Sequence, residues 1–142
     1  MNTAYLQKTF GLTGRTALVT GSARGIGRAI AQALGQAGAR VVISDINAAA
    51  CEDTASQLRA LGLDARGVPF DVSDLAAVQA AQRTLAEAGW NVDILVNNAG
   101  NQNRKPLVDM QPGEWQSLMN VHVNGAFNCT QTFLRGMCSQ GF

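Results

Sequence analysis

Three glycines, Gly21, Gly25 and Gly27, stand in the stretch LVTGSARGIGRAI (residues 18–30), between a short apolar run and a pattern with helical spacing. The chemistry open to such a turn is anion binding. Backbone N–H groups at a helix N-terminus, aided by the helix dipole, favour a diphosphate. Gly21 lets the chain turn sharply out of a strand, Gly25 leaves room for a ligand, and Gly27 allows a helix to pack closely on that strand. Ser22, Ala23, Arg24 and Ile26 fill the turn and are candidate cofactor-contacting positions with the glycines. The motif is not a P-loop, because no Gly-Lys-Ser/Thr follows. Taken alone, a glycine triplet also fits a purely structural turn.

Asp45 narrows the reading. It ends a second β-branched run, RVVISD, where the adenosine ribose of a dinucleotide held by the turn should lie. A carboxylate there accepts hydrogen bonds from both ribose hydroxyls and repels a 2′-phosphate, so NAD is expected over NADP. Ile46 beside it joins the candidate site. Arg24 is a counter-signal, since a guanidinium suits a 2′-phosphate.

The elements that must position these residues alternate. TALVT (residues 16–20) reads as a buried strand. Ile26, Ala29, Ile30, Ala33, Leu34 and Ala37 fall at helical spacing, closed by Gly38. After the second strand, Cys51, Ala55, Leu58 and Leu61 mark a helix ended by Gly62. ARGVPFDV holds a third strand, with Pro69 pointing to a sheet edge. Leu75, Val78 and Leu85 mark a third helix, and VDILVNNAG a fourth strand running into a turn. The first ten or so residues read as a surface arm. This alternation predicts an α/β fold: a Rossmann-type, doubly wound parallel sheet of about four strands with right-handed crossovers. Residues 112–137 read as mostly helical, with apolar side chains on more than one face. Either a subunit interface in a homo-oligomer or further chain would cover the second face.

Composition excludes several classes. The chain has 142 residues, 46% of them hydrophobic and 15% charged, which fits one globular domain. Eleven basic residues face ten acidic ones with no basic stripe, so no nucleic-acid partner is expected. Cys51, Cys129 and Cys138 are scattered and lack metal-ligand spacing. They read as reduced thiols of a cytoplasmic protein, with no metal expected. No run is apolar enough to predict a membrane span or a signal peptide.

TGSARGIG, Asp71-Val72, NNAG at residues 97–100 and the EW…NGAF segment, in this order and spacing, resemble the short-chain dehydrogenase/reductase family over nearly the whole chain. The resemblance implies an NAD(P)-dependent oxidoreductase moving a hydride between nicotinamide and a carbinol or ketone. It implies that Asp71 and Val72 bracket the adenine, that Asn98, Ala99 and Gly100 line the nicotinamide-side ribose, and that Asn97 ties neighbouring strands. All these sites follow strand C-terminal ends, where open α/β sheets bind ligands. The family also implies a catalytic Ser, a Tyr-x-x-x-Lys pair and an Asn supporting a proton-relay water. The only tyrosine here is Tyr5, with no lysine four residues on, and the Asn position holds His122. An imidazole can donate and accept, so His122 is the one catalytic candidate. The 1–142 domain is thus expected to be the incomplete N-terminal part of such an enzyme, marginally stable alone.

The run from Asn97 to Pro106 resembles the NNAG-x-Q-x-R-x-P of a gluconate 5-dehydrogenase-like branch. Gln102 and Arg104, with Lys105 beside them, then become candidate contacts to a sugar-acid carboxylate. The expected reaction is reversible oxidation of a small molecule of the gluconate/5-ketogluconate type. A 3-oxoacyl thioester (acyl-carrier-protein) reductase and a catalytically inactive NAD-binding module are the alternatives. A methyltransferase would explain Asp45 but not NNAG.

Overall fold

The computed structural model describes residues 3–141, so Met1, Asn2 and Phe142 of the expected domain lie outside it. The expected arm is a helix, α1 (Thr3–Phe10), whose Tyr5 and Phe10 side chains are exposed. Then come β1 (Thr16–Thr20), α2 (Gly25–Gln36), β2 (Arg40–Ser44), α3 (Ala48–Ala60), β3 (Ala65–Gly67), α4 (Leu75–Glu87) and β4 (Ile94–Val96). A 3₁₀ turn (Leu107–Asp109), α5 (Pro112–Met119), a π-helical turn (Asn120–Asn124) and α6 (Gly125–Ser139) complete the described chain.

The four strands form one parallel sheet in the order β3-β2-β1-β4. Alternation along β1 and β2 sorts two cores onto opposite faces. Leu18 and Val42 pack with Phe70, Val78, Leu85, Cys129 and Phe133, under α4 and α6. Ala17, Val19, Val41 and Ile43 pack with Ala31, Ala55 and Leu58, under α2 and α3. Leu18 and Ile43 are wholly buried, each stabilising the fold by roughly 1.5–3 kcal/mol. β3 is an edge strand, as Pro69 suggested, although Pro69 itself lies just past it.

The apolar face of α2 differs from expectation. Ile26 is 76% exposed, and Ala29 and Ala33 also face outward. The buried face is Gly27, Ala31 and Gly35, flanked by Ile30 and Leu34, which pack against the core as expected. Small residues win because α2 lies almost against the chain beneath it: a Cβ on Gly35 would sit 3.1 Å from Leu63 Cδ1. Leu61, expected on a buried face, is largely exposed because it stands beyond the end of α3, and Leu75, the first residue of α4, is partly exposed. In the last segment one face of α6, with Cys129 and Phe133, joins the core. Trp115, Val123, Phe127 and Leu134 stay exposed.

Candidate dinucleotide-binding site

The C-terminal ends of β1, β2 and β4, with the segment after β3, border a groove of about 880 Å³. It lies where the chain order reverses between β1 and β4, the crevice used by ligands of open α/β sheets. Gly21, Arg24, Gly25, Ile26, Gly27, Asp45, Ile46, Asp71, Val72, Asn98, Ala99, Gly100 and Gln102 all line it.

Each glycine has a distinct steric reason. Gly21 (φ 63°) is left-handed, and a Cβ there would stand 2.8 Å from the Ala99 Cα. Gly25 (φ 56°) is also left-handed but opens onto empty space. A Cβ on Gly27 would strike the Gly21 carbonyl and stand 2.5 Å from Asn98 Nδ2. The helix starts differ in their caps. Asn47 caps α3 by accepting from the Ala50 N–H, and Asp74 caps α4 by accepting from Ala76 and Ala77. Arg24 gives α2 no side-chain cap, so its first-turn N–H groups face the groove with the positive end of the helix dipole. That cradle fits a diphosphate.

Ser22 and Ala23 stand apart from the groove lining. Ser22 Oγ is buried, donating to Val19 O (2.6 Å) and accepting from Ser44 N (3.0 Å). The Ala23 carbonyl accepts from Thr54 Oγ1 at 2.7 Å. The Ser22 side chain thus fastens the turn to the sheet, and the Ala23 carbonyl fastens it to α3.

Two residues that sequence reasoning missed hold the other walls. Thr20 Oγ1 accepts from the N–H groups of Asn98 (3.1 Å) and Ala99 (3.0 Å), pinning the loop after β4 to the end of β1. Asn98 Nδ2 in turn donates to the carbonyls of Thr20 and Gly21. The strand-to-strand tie expected of Asn97 therefore belongs to Asn98. Asn97 Nδ2 instead reaches Thr130 Oγ1 on α6 (3.1 Å), because its side chain leaves the opposite side of the extended chain. Asn128, buried on α6, donates to Val72 O at 3.0 Å and fixes the segment after β3. A β-branched polar residue ending a buried strand was the only available signal for Thr20; Asn128 had none.

The carboxylates are presented by local turns. Asp71 Oδ1 accepts from Ser73 N (2.8 Å) and Ser73 Oγ (2.7 Å), and Asp45 Oδ1 lies 3.4 Å from Asn47 N. Beneath Asp45, burial and the nearby carboxylate push the Cys51 thiol up to about 11. Burial does the same to Cys129, also to about 11. Both thiols are protonated at neutral pH.

His122 sits on the π-helical turn, a distortion frequent at functional sites. Its Nε2 lies 2.8 Å from Asn101 O, and a Cβ on Gly100 would stand 2.7 Å from its Cε1. The imidazole thus packs under the NNAG loop, just outside the groove lining. Of the two candidate substrate contacts, Gln102 lines the groove, while Arg104 does not and donates to Gln102 Oε1 (3.0 Å). Lys105 is drawn away by Glu114 (2.8 Å). Hydrogen bonds from Lys105 and from the Gln111 backbone hold the Glu114 carboxyl down at about 2.

The short chain dehydrogenase family profile matches residues 15–142. A rhamnolipid-biosynthesis 3-oxoacyl-[acyl-carrier-protein] reductase of Pseudomonas aeruginosa is 44% identical over 125 residues, 88% of this chain and 48% of that protein. The gluconate 5-dehydrogenase of Gluconobacter oxydans is 39% identical over 132 residues, 93% of this chain and 52% of that protein. A gluconate 5-dehydrogenase from Burkholderia cenocepacia, solved in complex with NADP and tartrate, superposes with a TM-score of 0.90 at 42% identity, covering 95% of this chain and 53% of that one. The chain spans about half the length of the curated relatives it matches. On the family match and this superposition, the chain belongs to the short chain dehydrogenase family, whose members are NAD(P)-dependent oxidoreductases.

Proposed function

We propose that this chain is the dinucleotide-holding part of an oxidoreductase that interconverts a carbinol and a ketone. The observation that carries this reading is the convergence, in one groove, of the glycine turn, Asp45, Asp71 and the NNAG loop. In this reading the amides from Gly25 to Gly27 hold the diphosphate, Asp71 and Val72 flank the adenine, and Asn98 to Gly100 admit the nicotinamide-side ribose. Bound nicotinamide would supply the hydride acceptor or donor. His122 is the chain's own candidate for supporting a proton-relay water. Its Nε2 lies against the Asn101 carbonyl, which leaves Nδ1 as the atom for that role.

NAD is the proposed cofactor. Asp45 supports it by charge repulsion of a 2′-phosphate, although Arg24 lines the same groove and the Burkholderia cenocepacia relative was solved with NADP. A sugar acid is the proposed substrate, supported by Gln102 in the groove and by the gluconate 5-dehydrogenase relatives. A 3-oxoacyl thioester reductase is the second reading, favoured by the 44% identity to the Pseudomonas aeruginosa protein. The exposed Trp115, Val123, Phe127 and Leu134 support a covering partner, either a second copy or further chain.

The test is Asp45→Asn, with NAD and NADP affinities measured by calorimetry. Removing the charge should weaken NAD binding and strengthen NADP binding, moving their ratio by roughly tenfold or more. An unchanged ratio would contradict the assignment of Asp45.

A further inference from the structure

Among the described residues, two buried side-chain polar atoms lack a hydrogen-bond partner: Ser44 Oγ and Asn101 Oδ1. Both residues line the dinucleotide groove, at opposite ends of it. Buried polar groups are normally paired, because an orphan is destabilising. Two orphans bordering one groove call for a ligand rather than for a folding explanation.

Ser44 is the sharper case. It ends β2, one residue before Asp45, and is 1% exposed. Its backbone is fully engaged, since Ser44 N donates to Ser22 Oγ and Ser44 O accepts from Ser22 N. Only the hydroxyl is left over. Strand alternation puts that side chain on the same face of the sheet as Val42, the face that carries Phe70 and Val72. Phe70 and Val72 wall the groove next to Asp71. An apolar residue of similar size would leave no unpaired group here, so the hydroxyl points to an acceptor supplied from the groove.

We infer that the Ser44 hydroxyl is a base-reading contact, donating to a ring nitrogen of the purine that enters between Asp45 and Asp71. The inference rests on the reading of the groove as a dinucleotide site. It separates recognition of the base, by Ser44, from recognition of the ribose 2′ position, by Asp45.

The experiment titrates ADP-ribose and its 2′-phosphorylated form into the wild-type chain, Ser44→Ala and Ser44→Cys, with melting temperatures recorded without ligand. Ser44→Ala should melt no lower than wild type, since it removes an unpaired buried group. It should lose roughly three- to tenfold affinity for both ligands equally, the worth of one neutral hydrogen bond. Ser44→Cys, similar in size and a weaker donor, should fall between. Wild-type affinity in both variants overturns the inference while leaving the dinucleotide reading intact. So does a clear fall in the melting temperature of Ser44→Ala, which would show the hydroxyl bonded in the free protein. A wild-type chain that binds neither ligand overturns both.

Discussion

The two ends of the groove are built differently. The end at β1 and β2 is set by strand termini with interlocked backbone and hydroxyl bonds: Ser22 to Ser44, Thr20 to Asn98 and Ala99, Asn98 back to Thr20 and Gly21. The end beyond Gly100 runs through an exposed loop with a single 3₁₀ turn. Its basic side chains pair with near neighbours, Arg104 with Gln102 and Lys105 with Glu114. The contrast separates two tasks. In the proposed reading, the dinucleotide is held by rigid backbone, whereas the substrate would be chosen where few packing constraints act.

Damage to the rigid end should therefore be the costliest. Gly27→Val would drive a branched side chain into the Gly21 carbonyl and the Asn98 amide. We expect a loss of about 3 kcal/mol in urea unfolding together with loss of dinucleotide binding. A variant that kept both would show that the tight approach of α2 is not required.

Thr20→Val is gentler, because it conserves shape and removes one oxygen. It strands the Ala99 N–H, which the hydroxyl now satisfies, and leaves the Asn98 N–H only the Val96 carbonyl. Stability should fall by about 2 kcal/mol, and dinucleotide affinity with it, as the NNAG loop loosens. An unaltered urea midpoint would mean that the Asn98 side chain alone holds the loop.

At the exposed end the effect should be smallest. Glu114 has its carboxyl depressed to about 2 by Lys105 and the Gln111 backbone, against an ordinary 4.5. A depressed carboxyl contributes stability above its unfolded value and loses it as pH falls toward the folded value. Glu114→Gln should thus lower the melting temperature slightly at pH 6. The gap to wild type should close between about pH 4.5 and 2. A gap that persists unchanged at pH 2 would rule out the ion pair as its cause.

The same division explains what the sequence disclosed. The four strands, their order of appearance and the groove-lining glycines were legible, because left-handed turns and alternating apolar runs impose residue types locally. The face of α2 is legible only in part: Ile30 and Leu34 pack on the core as their spacing predicts, whereas Ile26 is exposed and close packing demands Gly27, Ala31 and Gly35. Thr20 and Asn128 escape notice because their roles depend on partners far along the chain, Asn98 for Thr20 and Val72 for Asn128. The π turn under His122 leaves no mark in the spacing of Asn120 to Asn124. Asn97 and Asn98 are identical letters, and only the direction of each side chain decides which one ties the strands.

The central claim is that one groove at the strand ends holds an adenine dinucleotide. Amide NMR spectra of the uniformly ¹⁵N-labelled chain, recorded while NAD is added, test it directly. The account predicts saturable shifts at Gly25, Ile26, Gly27, Asp45, Val72 and Ala99, with α1 and the exposed face of α6 unmoved. Shifts confined to other surfaces, or none at millimolar NAD on a folded chain, would contradict it.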